Sequence, residues 1–73
     1  VPEITLTCAS AEDARIVALN ADRPGDPDHR CRQDGARVIV TYHDKRYPLD
    51  VADYAFQAGH ASDAEAANTI ALL

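Results

Sequence analysis

"ARVIVTYHDKRYPLDV", residues 36–51, carries the clearest structural signal in the chain. Val38, Val40 and Tyr42 alternate with Arg37, Ile39 and Thr41, the period of a strand buried on one face. Ile39 among polar neighbours implies that the second face is partly covered as well. His43-Asp44-Lys45 then reads as a short polar turn and "RYPL" as the returning strand. The expected element is a β-hairpin near residues 36–49. Pro48 has no N–H to give a ladder, so the second strand is expected at a sheet edge or ending there.

Working outward, "PEITLTCA" places Ile4, Leu6 and Cys8 on one face and Glu3, Thr5 and Thr7 on the other, a half-buried strand. In "SAEDARIVALNAD", Ser10 and Asp13 resemble a capping box, and Glu12 and Asp13 suit the positive end of a helix. Ala14, Val17, Ala18 and Ala21 share a helical face. "RIVAL" is also a good short β run, so strand competes with helix over 11–21. After the hairpin, "LDVADYAFQAG" reads as a helix capped by Asp50 and stopped by Gly59. "SDAEAANTIALL" sets Ser62 and Glu65 at capping-box spacing and runs Ala66, Ile70 and Leu73 down one side. Strand, helix, hairpin, helix and helix make a single α+β domain over 1–73, with helices on one face of a small antiparallel sheet.

A chain of 73 residues buries only about 60% of the surface it exposes when unfolded. Its bulky apolar set is four Ile, five Val, five Leu and one Phe, while fourteen Ala add little core volume. Small chains of this kind often carry a staple. Cys8 and Cys31 are the only cysteines, and bridging them would contribute roughly 3 kcal/mol. The even count, together with a first residue that is not Met, leads to the expectation of one disulfide in a secreted or periplasmic protein. No apolar run approaches the ~18 residues of a membrane span. The net charge of −5 argues against a nucleic-acid binder, which needs a broad basic face.

"DRPGDPDHRC", residues 22–31, is the least regular stretch and the richest in polar chemistry. Pro24 and Pro27 forbid regular structure around them, and Asp34-Gly35 is a turn signal. A loop this long in so small a domain is either functional or tied down.

Cys8, His29, Cys31, His43 and His60 are the ligand types for zinc, but their spacing is wrong because no C-x-x-C pair exists. Asp22, Asp26, Asp28 and Asp34 offer oxygens for calcium but are out of register with an EF-hand. Ser10 and Ser62 are better explained as caps than as nucleophiles, and Asp26 and Asp28 lack an apolar surround that would raise one pKa. No glycine-rich loop precedes a helix. The expectation is therefore no metal, no cofactor and no catalysis.

"CRQDGARVIVTY" resembles the opening strand of the periplasmic inhibitors of c-type lysozyme, and "KRYPL" is similar to a later strand of that family. Elsewhere the chain departs from it: the small-residue inhibitory loop is missing and the C-terminal part is too helical. The chain is not assigned to that family.

The expected function is binding to another protein, as an inhibitor, immunity or accessory module. The contact residues would be Asp26, Asp28, His29, Arg30 and Arg32 with His43, Lys45 and Arg46 of the neighbouring turn. Neither nucleic acid nor membrane is expected as partner, and the oligomeric state stays open. The alternative is a cytosolic acidic module that mimics nucleic-acid charge through Asp50, Asp53, Asp63 and Glu65 to block a DNA- or RNA-binding protein. Reduced cysteines would mark it.

Overall fold

A computed structural model describes residues 1–73. The elements are β1 (Glu3–Thr7), α1 (Ala11–Ala21), β2 (Arg30–Asp34), β3 (Arg37–Thr41), α2 (Arg46–Gln57) and α3 (Asp63–Ala71). The three strands form one antiparallel sheet in the order β1-β3-β2. Mixed α+β architecture with a small antiparallel sheet and three helices is thus what the sequence led one to expect.

The core lies between one sheet face and the helices. Ile4 and Leu6 of β1, Cys31 of β2, and Val38 and Val40 of β3 all point into it. Ala14 and Val17 come down from α1, and Tyr47, Val51 and Ala55 from α2. Leu6, Val17, Val38 and Val40 are fully buried, each worth roughly 1.5–3 kcal/mol in apolar transfer. The side-chain period of two sends Glu3, Thr5, Arg30, Arg32 and Arg37 to the opposite face, which is open.

The hairpin lies one strand earlier than expected. β3 pairs with β2 on its N-terminal side, from Arg30↔Thr41 to Asp34↔Arg37, around the turn at Gly35 and Ala36. Gly35 has φ +60° and no other residue type in the chain has positive φ, so only the first central position is left-handed. That is the sign pattern of a type II′ turn, which matches the twist of paired strands. "RYPL" is the first turn of α2 instead. Pro48 fits there because the first N–H groups of a helix have no partner within it, so a missing donor costs nothing. Its ring is fully buried.

Residues 11–21 are helical, and two of the three expected caps form: Ser10 Oγ accepts from the Asp13 amide at 3.1 Å and Ser62 Oγ from the Glu65 amide at 3.1 Å. Asp50 is not a cap, because α2 starts four residues earlier, at Arg46, and takes Asp50 into its interior. Gly59, at φ +79°, follows α2 in the left-handed conformation that stops a helix.

The expected disulfide does not form. Cys8 and Cys31 are both free and both buried. The sheet register shows why. The Cys8 amide bonds the Ala36 carbonyl at 2.8 Å, whereas Cys31 lies opposite Val40. Those two points of β3 are about 13 Å apart along the strand, and β1 and β2 stand about 10 Å apart across it. A bridge needs Cα atoms within about 7 Å. With the bridge goes the reason for reading the chain as secreted.

Candidate functional site

The two segments singled out in the sequence meet in space: the first is irregular only over residues 22–29, since Arg30–Asp34 is β2, and one side chain joins it to the turn 43–46. His29 Nε2 accepts from the backbone amides of Asp44 at 2.9 Å and His43 at 3.4 Å. Two amides aimed at one ring nitrogen require a lone pair there, so the proton sits on Nδ1 and donates to Asp26 Oδ2 at 3.1 Å. Asp26 Oδ1 in turn accepts from the Asp28 amide at 3.0 Å, the local turn that aspartate favours. The His29 and Tyr47 rings meet in a T-shaped pair, 5.4 Å between centroids and 89° between planes.

The start and end of the loop are clamped by Asp22. Its carboxylate takes Arg30 in a two-point pair at 2.8 and 3.0 Å and accepts the Cys31 amide at 3.0 Å. The Arg30 guanidinium holds the Asp22 carboxyl below the usual carboxylate range. Asp26 is lowered chiefly by the Asp28 amide and Asp44 chiefly by the Arg46 amide. Beneath the loop, the Tyr47 hydroxyl donates to the Ala21 carbonyl at 2.8 Å and lies 3.2 Å from Cys31 Sγ. Burial pushes the Cys31 thiol up to about 11 and also raises Tyr47. A thiol held protonated in this way is a poor nucleophile.

The expected contact residues divide by what they touch. Asp26, His29 and Arg30 are spent on holding the loop. Arg46 pairs with Asp44 at 3.3 Å, and Lys45 Nζ donates to the Leu73 carbonyl at 3.1 Å. Arg32 lies apart from this group, on the open sheet face, reaching Glu3 at 3.3 Å. Asp28 and His43 are exposed, and their side chains make no hydrogen bond.

Sequence reading missed the groove beside the loop. A cleft of about 240 Å³ is lined by Asn20, Ala21, Arg23, Tyr47, Asp50, Val51 and Tyr54. The Arg23 guanidinium stacks over the Tyr47 ring at 4.5 Å. Asn20 Nδ2 donates to the Tyr54 hydroxyl at 3.1 Å. The one legible hint was helical spacing, which puts Tyr47, Val51 and Tyr54 on one side of a helix. It was hidden while Tyr47 was read as part of a strand.

At the other end of α1, a second aspartate–histidine pair ties the α2–α3 connection down. His60 Nδ1 lies 2.8 Å from Asp13 Oδ1, and Ser10 Oγ donates to Asp13 Oδ2 at 2.7 Å. His60 and Ser10 together lower the Asp13 carboxyl. The aspartate stands between serine and histidine, so the histidine has no contact through which to take the serine proton. This order is not that of a nucleophilic triad. No three His, Cys, Asp or Glu side chains converge as a metal site, and no helix is long and apolar enough to cross a membrane.

Comparison with protein families, with curated proteins and with solved structures finds no match.

Proposed function

We propose that this chain is a non-catalytic module that binds another protein through the face made by the loop 22–29, the turn 43–46 and the adjoining groove. The observation that supports this reading is an irregular loop held in one shape beside a groove lined by arginine and tyrosine. Holding the loop through His29 and Asp22 removes ordering cost from association. Arginine and tyrosine are the residue types that most often dominate binding energy. Apolar walls with Arg23 and Asp50 at hand suit a partner segment that carries an aromatic or aliphatic side chain between charged neighbours.

The test uses Asp28→Ala combined with His43→Ala, since neither side chain supports the fold. Stability should stay within about 0.5 kcal/mol. The protein captured by the wild-type chain should be lost or bound at least tenfold more weakly by the double variant (about 1.4 kcal/mol). Equal capture by both would move the contact face elsewhere.

The free cysteines favour a second reading, the acidic mimic of nucleic-acid charge. Asp50, Asp53 and Asp63 are exposed and form no ion pair. Asp63 and Glu65 occupy the first turn of α3, where the helix dipole already accounts for them. The salt dependence of partner binding separates the readings: a charge mimic loses affinity steeply between low and high salt, while a groove-centred contact changes little.

A further inference from the structure

The two edges of the sheet are finished differently. A helix packs against each edge strand, α1 against β2 and α3 against β1, but only along β2 is an outward amide capped, that of Cys31 by Asp22 Oδ1. Along β1, hydrogen bonds run from Cys8 to Ala36 at one end and from Tyr42 to Pro2 at the other. Even-numbered residues of β1 therefore face β3. Glu3, Thr5 and Thr7 turn their N–H and C=O groups outward. Outside the sheet, the one hydrogen bond to these groups comes from the Thr69 hydroxyl of α3, which donates to the Thr5 carbonyl at 3.5 Å and leaves that oxygen a second lone pair. Such an edge is a template for another strand.

We infer that the strand which pairs with it is β1 of a second copy, antiparallel about a two-fold axis at Thr5. In that register Thr5 meets Thr5, and Glu3 of each copy meets Thr7 of the other. The outward N–H and C=O groups of all three residues are then exchanged, and no like charges stand opposite each other. Charge complementarity singles out this occupant. Arg37 lies next to Thr7 in the sheet, and it is the one arginine with neither a carboxylate nor a ring against it. Pairing brings Glu3 of the second copy two strands from Arg37, about 10 Å between Cα atoms, a span the two long side chains can close. The next outward pair would need the Ala9 N–H, which already donates to the His60 carbonyl at 2.8 Å, so the ladder stops at Glu3 and Thr7. The product is a continuous six-stranded sheet, and it leaves the loop and groove on the opposite sheet edge free.

The experiment is sedimentation of the whole chain over a wide concentration range, with amide hydrogen exchange at its two ends. Association should raise the mass towards twice that of the monomer. Exchange at Thr5 and Thr7 should slow at least tenfold, while that at Gln33 on the β2 edge stays unchanged. Thr5→Pro deletes an N–H that makes no bond within the chain and should remain monomeric. Arg37→Glu, an exposed change that tests the same contact without touching the backbone, should weaken association at least tenfold, and Glu3→Lys combined with it should restore it. A monomeric mass at every concentration, or a dimer in which Thr5 exchange is unaltered, would overturn the inference. So would a dimer that forms as well in both Thr5→Pro and Arg37→Glu, or protection of β1 only by an unrelated peptide.

Discussion

Two aspartate–histidine pairs hold this domain at opposite ends, and they are not equivalent. His29 and Asp26 lie 3.1 Å apart, and His60 and Asp13 lie 2.8 Å apart. His29 spends its second nitrogen on the amides of residues 43 and 44, so it works only as a neutral ring. His60 makes no hydrogen bond through its second nitrogen, so a proton there leaves its tie to Asp13 intact. The same residue pair is thus a backbone splint at the loop and a side-chain latch at the α2–α3 connection. The difference lies in what the far nitrogen touches, not in the pair itself.

Substitution gives the largest contrast. His29→Ala hands two exposed backbone amides to water and frees the loop from the turn, and the loss of three hydrogen bonds should cost about 2 kcal/mol. His60→Ala leaves the backbone bonds of its segment in place, namely its amide to the Ala55 carbonyl and its carbonyl from the Ala9 amide, and should cost about 1 kcal/mol or less. Urea unfolding of the two variants measures the gap. Equal costs would mean that the splint is no stronger than the latch.

Acid sharpens the contrast next. At the loop end Asp22, Asp26 and Asp44 are all lowered; at the latch Asp13 is lowered. A carboxyl lowered in the folded state contributes stability that is present above its unfolded pKa, about 4. That stability is lost as pH falls through the folded value. Acidification below about pH 4 should therefore destabilise the protein, with the loop amides losing hydrogen-exchange protection before those around His60. Loss in the reverse order would break the comparison.

The smallest effect concerns the caps. Ser10→Ala removes a helix cap and one of the groups that orient Asp13, whereas Ser62→Ala removes a cap alone. Each should cost about 1 kcal/mol, and thermal melts should show Ser10→Ala slightly the larger. Loss of partner binding with the melt unchanged would instead mark either serine as part of a contact.

Local chemistry decided what local chemistry can decide. Ser10 and Ser62 as caps, Gly59 as a helix stop and the alternation of Val38 and Val40 follow from groups a few residues apart. The α+β class followed from them. Tertiary structure decided which side of β3 the hairpin partner came from. "RCRQD" has only Cys31 to bury, because its other face is open, so it carries no apolar alternation to betray a strand. Asp34-Gly35 before a strand was the available clue. Pro48 reads locally as the edge or end of a strand; burial of Tyr47 and Pro48 against the core places both in the first turn of α2 instead. The cysteines were legible as a pair by count alone; the sheet register, a relation between residues far apart in the chain, keeps them apart. The joining of the loop to the turn through His29, and the groove beside them, likewise exist only once α1, β3 and α2 are packed. Each depends on groups from separate elements, whose distance no spacing along the chain encodes.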